Sequence, residues 1–232
     1  MKIKISLKFV IAFLALTFVM SELHEIVHTA VGRFICGCWG ERDFNSWGIC
    51  ESCKNIKFSW LSTLAGPVFT YIMIWIGASY LKNTNTNQQK SLGIALIFSN
   101  APFARILNPL LTCGDEVTLV FKFFESLNLA SFITLIIVLI ITVYPMYKAF
   151  KTINNKPIGY FILFIFAPVI LILLVILVVL NTLLAKGILS ETGILGSPII
   201  VNVWSILVLI VFIIFRKHIY ELGEVEKNNS EQ

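Results

Sequence analysis

Ser21-Glu22-Leu23-His24-Glu25-Ile26-Val27-His28 lies inside an apolar run from about Phe9 to Ala30. A charged side chain at bilayer depth costs roughly 2.5–3.5 kcal/mol on insertion scales, so two imidazoles and a carboxylate in such a run mark a site. The order is H-E-x-x-H. On a helix, His24 and His28 stand at i and i+4 on one face, where both rings can hold one zinc ion, and Glu25 stays free to take a proton from water. The plain alternative is a polar patch at a helix end, held by water or polar neighbours. Glu22 either partners a histidine or faces the aqueous rim.

The surrounding chain supports a membrane setting. Its 232 residues are 57% hydrophobic and only 13% charged, against about a quarter charged in a soluble domain, and the mean hydropathy is +0.86. The net charge of +5 comes from Lys and Arg placed between apolar runs, with no basic stripe, which excludes a nucleic-acid binder and reads as a topology signal. The expected fold is an all-α polytopic bundle of about six transmembrane helices in a lipid bilayer, with a short cysteine-rich loop between the first two. A basic start before an apolar run also suits a signal peptide, but no small-residue cleavage site follows, so the run is kept as a helix.

Residues 1–120 read as a core of three spans, 121–216 as three further spans and 217–232 as a polar tail expected to be disordered. The loop at 32–57 holds Cys36, Cys38, Cys50 and Cys53 and is too short to fold on a core of its own. The second span, about Trp60 to Leu81, opens with Leu64-Ala65-Gly66-Pro67, a close-packing element. The third, about Ser91 to Leu111, carries Asn100, Pro102, Arg105, Asn108 and Pro109, a polar load that must face protein. Arg105 either pairs with a carboxylate or reaches toward an interface. Thr112-Cys113-Gly114-Asp115-Glu116 follows, with Cys113 read as a small buried hydrophobe. Spans at about Ser131 to Tyr147, Ile158 to Leu184 and Ser197 to Phe215 hold almost no ionisable groups, so they offer no acidic relay for an ion transporter. His218 is assigned no role.

Six spans alternate direction, so the end of the first, the start of the second and the end of the third share one membrane face. A catalytic zinc takes three protein ligands and keeps a position open. Asp115 is the expected third ligand beside His24 and His28, with Glu116 as its competitor and helix capping as the ordinary role for both acids.

The chain resembles the site-2 protease family of intramembrane zinc metalloproteases in His24-Glu25-Ile26-Val27-His28, in Ala65-Gly66-Pro67 and in Asn108-Pro109 followed by Gly114-Asp115. The likeness covers about residues 9 to 120. Many members carry Leu-Asp-Gly where Gly114-Asp115-Glu116 stands here. The resemblance implies zinc-dependent hydrolysis of peptide bonds in membrane-embedded protein substrates, with Glu25 as general base. It further implies that Asn108 holds an unwound substrate strand. An inactive relative that binds membrane helices or metal is the rival reading, and the intact Glu25 speaks against it.

Eleven Lys and Arg collect on the face of the termini and six on the other. The positive-inside rule therefore puts both termini in the cytoplasm of a cell-membrane protein and the zinc site toward the exterior, whereas the family generally holds its active sites nearer the cytosol. Facing outward, the four loop cysteines form two disulfides in one of three pairings. Facing inward, they would suit a second, structural zinc.

Overall fold

The computed structural model describes residues 1–53 and 55–223. Lys54 and Lys227, both part of the charge count, and most of the polar tail lie outside the described residues. Nine α-helices are described: α1 (Leu7–Cys36), α2 (Trp60–Ser79), α3 (Asn87–Ser99), α4 (Pro102–Leu110), α5 (Asp115–Phe124), α6 (Leu127–Thr152), α7 (Pro157–Ile172), α8 (Asn181–Ala185) and α9 (Ile199–Phe215). A π-helical stretch, Leu173–Leu180, joins α7 to α8. Among the described residues there is no strand, only isolated bridges.

Five helical segments are long and apolar enough to cross a membrane, and α3–α4 with α5 make a sixth if that pair, bent by 40°, is one span. The all-α polytopic bundle expected from the sequence is therefore observed. Burial ranks its members. The rest of the chain covers 61% of the apolar window of α1 but 17% of those of α7–α8 and α9, so α1 is the central helix and the later spans form the outer wall. Ile140, Ile158 and Ile214 on that wall are more than 60% exposed; water would penalise such a surface, and lipid does not.

Local sequence explains the main features. Ser6 caps α1 by accepting from the Phe9 amide, and Gly37 ends it in the left-handed region. The third span is broken. Ala101 takes φ 43 immediately before Pro102, which lacks an amide hydrogen and disfavours helix in the residue before it, so the helix expected to run unbroken from about Ser91 to Leu111 is interrupted into α3 and α4, which still lie together in one candidate span. Gly77 and Gly93 bring α2 and α3 together so closely that a Cβ on either would stand 2.7–2.8 Å from the other's carbonyl oxygen.

The chain after Arg216 is ordered as far as it is described, against expectation. Residues 216–221 form a 3-10 helix, the Leu222 amide donates to the Ser91 hydroxyl at 3.1 Å, and the Lys4 amide donates to the Leu222 carbonyl at 2.8 Å. Burial of Ile219 and Leu222 supplies what the charged sequence around them conceals.

Candidate metal centre

His24 and His28 lie one turn apart on α1 and are both buried, His28 completely. Each ring is turned by a partner on α2: His28 Nδ1 stands 2.6 Å from the Ser62 carbonyl oxygen and His24 Nδ1 2.9 Å from the Thr70 hydroxyl. A carbonyl only accepts, so the neutral His28 ring carries its proton on Nδ1 and presents a lone pair at Nε2. Gly66 makes room for that ring. A Cβ at Gly66 would overlap His28, 2.5 Å from Cδ2 and 2.7 Å from Cε1 and closer still to Nε2.

Asp115 is the first residue of α5, brought in by Gly114 at φ 96, a conformation open to glycine. A Cβ on Gly114 would also stand 2.9 Å from the Asn108 side-chain nitrogen. Asp115 Oδ2 lies 3.2 Å from His24 Nε2 and 3.3 Å from His28 Nε2, and the two Nε2 atoms are 3.1 Å apart. A proton joins one pair of these atoms and Arg105 reaches His24 and Asp115 from one side, whereas a divalent ion at the centre would meet all three. Ligands about 2.0–2.1 Å from a tetrahedral zinc stand roughly 3.3–3.4 Å from one another, close to the observed triangle. His24, His28 and Asp115 are thus a fitting metal-binding triad, two imidazoles and one carboxylate.

One guanidinium serves two carboxylates beside the triad: Arg105 Nη1 is 3.8 Å from Asp115 Oδ2 and 3.7 Å from Glu116 Oε1. Glu25 Oε2 is buried with no hydrogen-bond partner, an expensive state unless something arrives to use it.

The competitor for the third position is occupied elsewhere. Glu116 Oε1 accepts from the Tyr71 hydroxyl at 2.7 Å and stands outside the triad. Arg105 pairs with carboxylates, and its Nη2 lies 3.1–3.2 Å from the His24 ring nitrogens. Asn108 lines a cavity of about 260 Å³ beside His24, together with the polar Asn100 and Arg105 and the apolar Val169, Leu173 and Leu177. Asn100 Oδ1 is buried and unpartnered.

Two expectations are corrected, and the choice left open for the loop cysteines is made. Glu22 is buried and not at an aqueous rim: its Oε2 accepts from Arg42 Nη1 at 2.8 Å and from the Ser205 hydroxyl, which ties α1 to the cysteine loop and to α9. Cys113 is exposed, not a buried hydrophobe, because the turn between α4 and α5 points it outward. The four loop cysteines take the cross-linked alternative, Cys36 with Cys53 and Cys38 with Cys50, so their sulfurs form no second metal site.

Sequence reasoning missed Trp47. Its ring stacks on His28 with centroids 4.4 Å apart and planes 9° from parallel, and its Nε1–H donates to Asp115 Oδ1 at 3.1 Å. A tryptophan inside a short cysteine-braced loop was the available signal, but nothing in the spacing says where the loop folds. Compared with known protein families, curated proteins and solved structures, the chain gives no match, so the likeness to site-2 proteases rests on the three motifs alone.

Proposed function

We propose that the chain is a zinc-dependent endopeptidase that hydrolyses peptide bonds in membrane-embedded segments of other proteins. The observation that carries this reading is the convergence of His24 Nε2, His28 Nε2 and Asp115 Oδ2 within 3.1–3.3 Å, one residue along from a buried carboxylate oxygen that bonds to nothing. His24, His28 and Asp115 would hold the ion. A bound zinc supplies Lewis acidity, acidifying water and polarising a carbonyl.

The chain's own groups do the rest. Glu25 Oε2 receives a proton from the attacking water and returns it to the leaving amine. Arg105, on the cavity wall beside His24, places positive charge where the substrate carbonyl oxygen gains negative charge. Asn100, with a free carbonyl oxygen, and Asn108 offer hydrogen bonds to the backbone of an unwound strand, while the apolar wall of Val169, Leu173 and Leu177 receives its side chains. Two disulfides in the loop suit an oxidising compartment and so agree with cytoplasmic termini in the cell membrane.

The test is cleavage of a transmembrane reporter by the purified protein in proteoliposomes, compared with Glu25→Gln. Cleavage that disappears while zinc stays bound supports the reading. Undiminished cleavage by a pure Glu25→Gln sample refutes it, and zinc binding without cleavage by the unaltered protein favours a non-catalytic metal-binding member of the same fold.

A further inference from the structure

We propose that Trp47 is a positioning residue of the metal centre, supplied by the disulfide-braced loop, and that it selects which oxygen of Asp115 faces the two imidazoles. The inference rests on the metal-site reading above. An aspartate offers two equivalent oxygens, and a site with one ligand atom from each residue must distinguish them. Indole is a donor only. With Nε1–H on Oδ1 at 3.1 Å, Oδ1 is engaged and Oδ2 is left toward His24 and His28. The same ring lies flat on His28, so one side chain from outside the helices fixes two members of the triad.

The loop is built to hold that ring still. Trp47 pairs with Arg42 across an antiparallel bridge, the Asp43 amide donates to the Ser46 carbonyl at 2.8 Å and the Gly48 amide to the Glu41 carbonyl at 2.8 Å, making a tight hairpin. The Cys38–Cys50 bond closes the chain around it, and Phe44 at its tip is fully buried. Below the hairpin, the Arg42 guanidinium reaches Glu22 on α1 and the Ser197 hydroxyl, each at 2.8 Å. Groups that orient ligands through hydrogen bonds typically contribute 10–100-fold to metal affinity.

Trp47→Phe keeps a ring for the stack and removes the N–H. Trp47→Ala removes both. The experiment uses the full chain in detergent, with zinc affinity measured by competition against a chromophoric chelator and the visible spectrum of the cobalt form reporting ligand geometry. Trp47→Phe should bind zinc roughly 10–100-fold more weakly and alter the cobalt spectrum, and Trp47→Ala should be weaker still. A second readout, taken at cobalt concentrations that saturate both proteins, reports how near the indole lies to the ion. Cobalt should quench part of the emission of the five tryptophans in the unaltered protein, and that quenched part should be absent from Trp47→Phe. Unchanged zinc affinity, or equal quenching in Trp47→Phe, overturns the proposal and leaves the triad standing. Failure of the unaltered protein to bind metal overturns both.

Discussion

Gly66→Ala adds one methyl group to α2 without changing any charge, and should cost the protein its metal. Packed carbon atoms sit about 3.5–4.0 Å apart, whereas the new methyl would lie 2.5 Å from Cδ2 and 2.7 Å from Cε1 of His28. The ring must therefore retreat by about 1 Å, and the indole of Trp47, stacked at 4.4 Å, stands in its way. Metal–ligand distances tolerate only about ±0.2 Å. Zinc affinity should fall by at least the roughly 10–100-fold that follows loss of a supporting group, about 1.4–2.7 kcal/mol. The helix itself should survive. Alanine is better than glycine in a helix by about 1 kcal/mol, which offsets part of the roughly 1–3 kcal/mol that overpacking costs. The assay is zinc per chain and chelator competition in detergent, with far-UV circular dichroism as the control for folding. A Gly66→Ala protein that is folded and binds zinc as tightly as the unaltered protein would refute the placement of His28 against this glycine.

Other substitutions separate the roles of neighbouring groups. Glu25→Gln should retain zinc and lose cleavage by about 10²–10⁴-fold, the usual range for a general base, as read by paired metal analysis and reporter cleavage. Asp115→Ala should abolish stoichiometric zinc, whereas Glu116→Gln should keep it, since Glu116 bonds to Tyr71 and not to the triad; the two metal contents decide between the acids. Arg42→Met leaves Glu22 buried with the Ser205 hydroxyl but without its ionic partner and should destabilise the protein by about 3–5 kcal/mol, visible as a lower unfolding midpoint and, through the displaced hairpin, as weaker zinc binding.

The legible parts of the sequence were those governed by period and alternation. His24 and His28 share a face because the helix repeats every 3.6 residues, and Asp115 meets them because antiparallel spans return alternate ends to one side. The break at Ala101 was signalled by Pro102, but a Pro in a membrane helix can equally produce a kink, and only packing chose a full interruption. Trp47, Glu22 and Arg42 were not legible as a group. Their contacts depend on where a loop of residues 37–59 folds back, which hydrophobic periodicity does not encode. The order of residues 216–223 was hidden for a similar reason, because Ser91 and Lys4 hold them from far along the chain.

The most direct test of the account is zinc X-ray absorption of the purified, unaltered protein. Two imidazoles and a carboxylate predict about one zinc per chain with only nitrogen and oxygen neighbours at roughly 2.0–2.1 Å. A sulfur shell near 2.3 Å, which would put the ion on the loop cysteines, or the absence of stoichiometric zinc, would contradict it.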